Sequence, residues 1–276
     1  MYDALAMTGV KAPYLPGVEL QFVMAYMANF FINSLRIGAF MMAAPFFGSS
    51  WMPLQIRIIM AISLAVGIAG TAPFMPPEAI ASLAVIPLLL TEISIGLSAG
   101  LILTIFFSAA MLAGEKIAST AGLGYAAQID PNAGGQTPVV SQILYLFLIV
   151  VFVSLDGHLI IIRSMLETYR IMPIGFSPNF DAMVVSGIAA AGTMFFAAAM
   201  IMLPIAMVLL FINTSIGIVT RSAPTLNLFS FGFPISLIGV FVILYFSADF
   251  LGNAMADLTD EAIQHVHDLI GDMQHG

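Results

Sequence analysis

The sequence has 276 residues, of which 61% are hydrophobic and only 8% are charged, with seven Lys and Arg against fifteen Asp and Glu and a formal net charge of −8. A soluble domain carries about 25% charged residues and cannot bury so large an apolar fraction in one core, which excludes an ordinary soluble enzyme, and the missing basic surplus excludes a nucleic-acid-binding protein. With a mean hydropathy of +1.05, the composition predicts an all-α membrane protein.

Apolar segments between polar or Pro/Gly-rich breaks predict about six long helices. They cover residues 20–47, 54–72, 79–112, 139–163, 183–219 and 233–251. A helix needs about 20 residues to cross the hydrocarbon core, so the second, fourth and sixth segments fit one crossing. The third and fifth would extend roughly 50 Å or more. Since Pro87 and Pro204 lie in them, each is predicted either to kink and protrude or to contain more than one element.

Small residues recur at helical spacing within these two long segments. The third segment has Gly96 and Gly100 and also Ser94 and Ser98, and the fifth has Ala189, Thr193 and Ala197. Such ladders let helix backbones approach closely in lipid, so they predict tight helix packing.

The connection 114–138 and the C-terminal residues differ from the rest in composition. The connection is rich in Gly, Ala, Asn and Gln, and a loop of this length is usually functional or disordered.

Residues 257–276 contain five acids and three histidines, and an apolar face would be formed by Ala262, Val266, Leu269 and Ile270. This pattern predicts an amphipathic helix in water. His265 and His267 lie on different helical faces, which favours a solvated tail over a metal site.

Ionisable side chains within the apolar segments are candidate functional residues, because such groups are costly in a membrane. They are Arg36, Glu92, Asp156, His158 and Arg163. Two interpretations are open: a proton relay, or pairing across helices and with neighbouring subunits, which we favour. Glu92 has Arg36 and Arg163 as conceivable partners, whereas Asp156 and His158 are two residues apart and cannot share one regular helix face.

Motifs for catalysis or for cofactor binding are missing from the sequence. It contains no His-Glu-x-x-His, no Gly-x-Ser-x-Gly, no phosphate-binding Gly-x-x-x-x-Gly-Lys and no cysteine. We therefore predict no enzyme activity, no cofactor and no metal. Nineteen Met and twenty-two Phe residues suggest flexible side chains that could help to seal a pore, although core packing or lipid contact explains most of them individually.

Four ordered blocks of the sequence resemble the FliR family of flagellar type III export-gate subunits. They are GEKI at 114–117 with GLGYAAQIDP at 122–131, GQTPV at 135–139, LDGHL at 155–159, and RSAPTLNLFSFGFP at 221–234. The N-terminal pattern of Arg36, Pro45, Pro53 and Arg57 is also similar. Each block is weak alone, but together they extend over most of the chain.

The resemblance implies a definite architecture. A FliP-like half would comprise residues 1–182 with the loop 114–138, a FliQ-like helical hairpin residues 183–251, and an acidic tail residues 252–276. In the family, a Gly-x-x-x-Ala-x-x-x-Asp-Pro loop projects into the channel as a plug. The resemblance implies that the plug of this chain would consist of Gly122, Leu123, Gly124, Tyr125, Ala126, Ala127, Gln128, Ile129, Asp130 and Pro131. The hairpin turn would contain Arg221, Pro224, Asn227, Phe229 and Pro234.

The function implied by the resemblance is that of a structural subunit of a protein-export channel in the bacterial inner membrane, within the flagellar basal body. Its expected partners are FliP and FliQ, with FlhB and FlhA nearby, unfolded export substrates in transit and membrane lipid. The alternative is an ion-coupled small-molecule transporter that uses Glu92, Asp156 and His158. An intramembrane enzyme is a third and weaker interpretation.

Overall fold

A computed structural model describes residues 20–48, 52–68, 83, 85–122, 138–222 and 232–274 of the chain. Within these residues the fold is entirely helical, which confirms the predicted all-α class. The eight helices that the described residues form are α1 (Leu20–Ala43), α2 (Leu54–Ile68), α3 (Val85–Thr120), α4 (Val139–Ser154), α5 (Gly157–Ile171), α6 (Phe180–Ser222), α7 (Phe233–Phe246) and α8 (Ala248–Gln274).

Two of these helices, α3 and α6, are by themselves long and apolar enough to cross a membrane. If each of the bent pairs α4–α5 and α7–α8 is regarded as a single membrane span, the described residues provide four candidate spans, and otherwise two. The shorter apolar helix α2 has 15 residues, fewer than a crossing requires. The described helices therefore do not correspond to six simple crossings.

Helix α3 lies at the centre of the fold and packs against α1, α4, α6 and α8. It is one continuous helix of 36 residues, so the alternative of several elements in this segment is wrong. Pro87 does not break it, because this proline is the third residue of the helix, where the backbone N–H has no intrahelical acceptor. Its buried side chains, which include Phe106 and Phe107, form much of the core.

Helix α6 is also continuous, over 43 residues and through Pro204, so the idea that this segment contains several elements is wrong here too. Its length of about 65 Å is twice the roughly 30 Å hydrocarbon thickness, as expected for a helix that protrudes. Most of its large apolar side chains are exposed in the single chain, among them Phe195, Phe196 and Phe211.

The fourth and sixth predicted segments were expected to be single crossings, and both are bent. Helices α4 and α5 meet at 66°, and α7 and α8 meet at 67°. The first bend occurs because Asp156 adopts a left-handed conformation with φ 56°, which Asp tolerates better than most residues. A Cβ atom at the following Gly157 would lie 2.6 Å from a ring carbon of Phe152, so glycine permits the close approach of the two helices there.

The acidic C-terminal residues form the greater part of α8, and the predicted amphipathic helix is present. Its apolar face is not in water, however, because Ala262, Val266, Leu269 and Ile270 are buried against the bundle. Helix α8 contacts α3, α4, α5 and α6. The ring of His265 lies 4.9 Å from that of Phe106, and His267 Nε2 lies 2.6 Å from Ser164 Oγ. The prediction of a solvated tail is therefore wrong: the acids remain exposed while the opposite face completes the core.

Candidate functional site

A buried ion pair between Arg36 of α1 and Glu92 of α3 forms the polar centre of the fold. Arg36 Nε donates to Glu92 Oε2 at 2.8 Å, and Nη2 donates to Oε1 at 3.1 Å. The two side chains are 0% and 1% exposed. Two parallel bonds of this kind match the planar guanidinium to the carboxylate, so the pair fixes both the distance and the rotation between the two helices.

The remaining donors of the guanidinium bind the C-terminal end of α5. Nη1 of Arg36 donates to Thr168 Oγ1 at 3.0 Å, and Nη2 also donates to the Met172 carbonyl oxygen at 3.0 Å. The guanidinium carbon lies 4.3 Å from the ring centroid of Tyr169, in a cation–π arrangement. The Tyr169 hydroxyl in turn donates to the carbonyl oxygen of Asn33 on α1. One arginine thus joins α1, α3 and α5.

Burial of these two charges is compensated by the hydrogen bonds around them. An isolated buried charge costs several kcal/mol, and a pair offsets this only when its geometry is good and its other donors are satisfied. Both conditions hold for Arg36, whose donors reach one carboxylate, one hydroxyl and one carbonyl oxygen. The chemistry of this site is therefore that of a fixed structural connection between helices.

The other three predicted ionisable residues are not part of this cluster. Asp156 and Arg163 are exposed, and His158 is partly buried, with its ring 6.2 Å from that of Phe46. Within the described residues, His158 Nδ1 is buried without a hydrogen-bond partner. In the single chain Asp156 and Arg163 lie on the surface, at the left-handed turn and on the outer face of α5, so pairing of these two residues with neighbouring subunits stays a prediction.

These positions bear on the transporter alternative. Asp156 and His158 lie at the start of α5, whereas Glu92 is connected to Thr168 near its end through Arg36. Ten residues of helix correspond to about 15 Å, too far for direct proton transfer. The three residues named for a relay therefore do not meet in one site. In addition, the part of the chain that the structure describes contains no group of three or more His, Asp or Glu residues placed to bind a metal.

Sequence reasoning missed Asn33, Thr168 and Tyr169, which complete the environment of Arg36. A signal was available for the first of them, because Asn29, Asn33 and Arg36 occur at the i, i+4 and i+7 positions of an otherwise apolar helix. Both asparagines are buried. Such a polar stripe predicts a partner for that helix face. No local pattern identified Thr168 and Tyr169, since α5 resembles an ordinary amphipathic helix.

Comparison with known proteins identifies the family. Residues 27–262 match the family described as bacterial export proteins, family 1. The flagellar biosynthetic protein FliR of Pectobacterium carotovorum subsp. carotovorum is 32% identical over 214 residues, or 77% of this chain and 81% of that protein. FliR of Buchnera aphidicola subsp. Baizongia pistaciae is 30% identical, over 80% of this chain and 86% of that protein. The chain belongs to the FliR family of bacterial export proteins.

FliR of Escherichia coli strain K12 is also similar, at 28% identity over 78% of this chain and 82% of that protein. The resemblance to the FliR family that the loop and hairpin motifs indicated is therefore confirmed. The family match includes Arg36, Glu92 and most of α8. The chain is accordingly an integral membrane protein of an export family whose named relatives serve in flagellar biosynthesis.

The structure describes only the ends of the loop and turn that carry the FliR motifs. Of the predicted plug, the structure describes Gly122, which lies where α3 ends. This glycine has φ 79°, and its N–H donates to the Ser119 carbonyl oxygen at 3.0 Å. A glycine in this conformation is a common helix terminator. Residues 123–131 lie outside the described residues. Of the predicted hairpin turn, Arg221 and Pro234 are exposed at the ends of α6 and α7, and Pro224, Asn227 and Phe229 also lie outside.

Proposed function

We propose that this chain is a structural subunit of the flagellar type III protein-export gate in the bacterial inner membrane, where it helps to form the channel for unfolded flagellar proteins. The observation that carries the proposal is the FliR-family match over residues 27–262, which includes the Gly122 loop and the hairpin motif. The fixed ion pair of Arg36 and Glu92 supports a structural role, because its donors and acceptors are engaged within the fold.

The exposed apolar surface of α6 supports assembly with other subunits. Exposed large apolar side chains extend from Val184 to Val219, a helical distance of roughly 53 Å. Even at a tilt of about 40°, the upper end of the usual range, this surface exceeds the hydrocarbon thickness. The excess requires contact with protein. We propose FliP and FliQ as the subunits that supply it, with FlhB and FlhA nearby and lipid around the remainder.

Helices α6 and α7 support the proposed FliQ-like hairpin at 183–251. A Cβ atom at Gly239 of α7 would lie 3.1 Å from Cδ1 of Ile212 on α6, and the Ser236 hydroxyl of α7 donates to Asn213 Oδ1 at 3.0 Å. The two helices are therefore in close contact near their connected ends. In this proposal residues 1–182 form the FliP-like half, and α8 returns to pack on that half.

The loop 122–131 is proposed to act as the plug of the closed gate. Deleting residues 126–129 is expected to leave assembly intact and to make the resting gate permeable to small ions. The reason is that a Gly/Ala-rich segment occupies a narrow lumen through its backbone and a shorter loop leaves part of the lumen open. Ion permeability is measured in cells that produce the gate subunits together with the deleted chain.

Two controls define this experiment. Cells that produce the deleted chain without its partner subunits should not leak, because no gate is formed. Purification through a tag must show that the deleted chain assembles as the wild type does. Wild-type permeability in cells containing the assembled deletion complex would refute the plug assignment.

The proposed partners predict a hetero-oligomer. Native mass spectrometry of the tagged chain, purified in mild detergent after co-expression, is expected to show it beside multiple copies of two other small membrane proteins. The physical reason is that the apolar surface of α6 is too long for lipid alone to cover. A monodisperse monomer or homodimer obtained despite co-expression would contradict the export-gate proposal and favour the transporter.

A further inference from the structure

A groove opens between α1 and α2, beside α3. Its volume is about 420 Å³, within the range of about 300 to 1,000 Å³ that is typical of sites for organic ligands. Apart from Ser34 and Arg57, the residues that line it are apolar, and Phe31, Met42 and Ile62 among them are exposed in the single chain. The Ser34 hydroxyl donates to the Phe31 carbonyl oxygen of its own helix at 2.7 Å, so it adds little polarity to the wall.

The length of the groove matches one leaflet of a bilayer. The wall that α1 supplies runs from Phe31 to Met42, a stretch of helix about 16 Å long. Half of the hydrocarbon core, which is about 30 Å thick, measures about 15 Å. Ile93 of α3 lines the same groove, and α3 is long and apolar enough to cross a membrane. The groove therefore has the polarity and the length to take one acyl chain beside a candidate span.

A positive charge lies at one end of this groove. The residues of α2 that line it run from Arg57, in the first turn of the helix, to Ile62. Arg57 Nε and Nη2 donate to the Met52 carbonyl oxygen at 3.1 and 2.8 Å, which holds the guanidinium at the start of α2. Arginine is well suited to bind phosphate, because its planar donors match the phosphate oxygens. The groove thus combines an apolar wall with a cationic end.

We propose that this groove binds one anionic phospholipid, with an acyl chain along α1 and α2 and the phosphate group near Arg57. The formal net charge of the chain is −8, so the protein as a whole does not attract anionic lipid, and selective retention requires a local cation. A helix of another subunit would also cover an apolar groove, but the charge at one end favours a lipid. The inference goes beyond the export-gate proposal and does not depend on the plug.

The test compares two lipids that differ only in headgroup. The full chain, purified in mild detergent after co-expression with the other gate subunits, is freed of lipid by detergent exchange. It is then titrated with phosphatidylglycerol or with phosphatidylcholine of the same acyl chains, and native mass spectrometry counts the lipids bound. We expect one phosphatidylglycerol per chain, bound about tenfold more tightly than phosphatidylcholine, as for one charge-assisted hydrogen bond.

Two substitutions separate the headgroup from the acyl chain. Arg57→Gln should lower the affinity for phosphatidylglycerol about tenfold and leave that for phosphatidylcholine unchanged, which also shows that the groove is intact. Gly38→Leu should weaken both lipids at least about tenfold, because Gly38 lines the groove and a Cβ atom there meets nothing within 4 Å, so the longer side chain fills the space. Gly67→Leu is the matched control: an added Cβ atom meets nothing within 4 Å there either, but Gly67 lies outside the groove, and wild-type binding is expected.

Several results would overturn the inference. They are equal affinity of the wild type for the two lipids, an unchanged preference in Arg57→Gln, and wild-type binding by a Gly38→Leu chain whose helicity by circular dichroism is normal. If the chain purified alone binds phosphatidylglycerol but the co-expressed complex does not, a subunit covers the groove and a lipid is not its occupant. The export-gate proposal is unaffected by any of these results, since it rests on the family match.

Discussion

Replacing Glu92 by glutamine is expected to lower the free energy of unfolding by about 3 to 5 kcal/mol, the range for removing one partner of a buried pair. The substitution changes almost no volume but leaves the Arg36 guanidinium, which is fully buried, without an opposing charge. The bonds of Arg36 to Thr168 and to the Met172 carbonyl oxygen remain, so the loss reports the uncompensated charge. Helicity of the purified protein followed by circular dichroism during titration with denaturing detergent measures it.

Two further variants make this prediction specific. Glu167→Gln removes an exposed carboxylate of α5 and should change the stability by about 0.5 kcal/mol or less. Arg36→Met combined with Glu92→Leu removes both charges and should recover most of the lost stability, because an apolar pair of similar volume often equals a buried ion pair. A double variant as unstable as Glu92→Gln would show that the surrounding hydrogen bonds, rather than charge balance, determine the stability.

Gly96→Ala is the second substitution with a large expected effect, although it adds only one methyl group. That carbon would lie 2.9 Å from the Arg36 carbonyl carbon and 3.0 Å from the Phe40 amide nitrogen. Both atoms belong to the backbone of α1, so relief requires the whole helix to shift. Overpacking of this kind costs about 1 to 3 kcal/mol, and the shift would also disturb the Arg36–Glu92 geometry. The same detergent titration measures the loss.

The matched control is Gly187→Ala in α6, where an added Cβ atom would meet nothing within 4 Å. There the substitution should be neutral or stabilise the helix by up to about 1 kcal/mol, since alanine is the better helix former. Gly96→Ala is thus expected to lower the free energy of unfolding, whereas the identical substitution at Gly187 is not. Equal effects at Gly96 and Gly187 would show that α1 and α3 do not approach as closely as the structure indicates.

Much of the architecture follows from composition and local spacing. The low charge content and the long apolar segments predict a helical membrane protein, and the spacing of Gly96 and Gly100 predicts a close helix contact. The structure places both glycines against α1: a Cβ atom at Gly100 would lie 2.6 Å from Ala43 Cβ. The loop and hairpin motifs predict the FliR family, which the comparisons confirm. These features can be predicted from the sequence because each depends on neighbouring residues or on a helical repeat.

The candidate site was only partly predictable. Arg36 and Glu92 were identified as ionisable residues in apolar segments, and Arg36 as one conceivable partner of Glu92, but Thr168 and Tyr169 were not. Glu92 and Thr168 lie 56 and 132 residues from Arg36 in the sequence, and they reach it only because α1, α3 and α5 pack together.

By itself, the sequence determined the helical class, the membrane character and the amphipathic face of α8, each of which is a property of composition or of local periodicity. It did not determine the end of α3: the predicted segment ended at residue 112 and the predicted connection began at 114, whereas the helix continues to Thr120. Only the tertiary structure decided that the apolar face of α8 closes the core, that Asp156 turns the chain by adopting a left-handed conformation, and that Arg36 pairs with Glu92 rather than with an exposed partner. The physical reason is that burial and pairing depend on which surfaces meet, and those surfaces come from segments far apart in the chain.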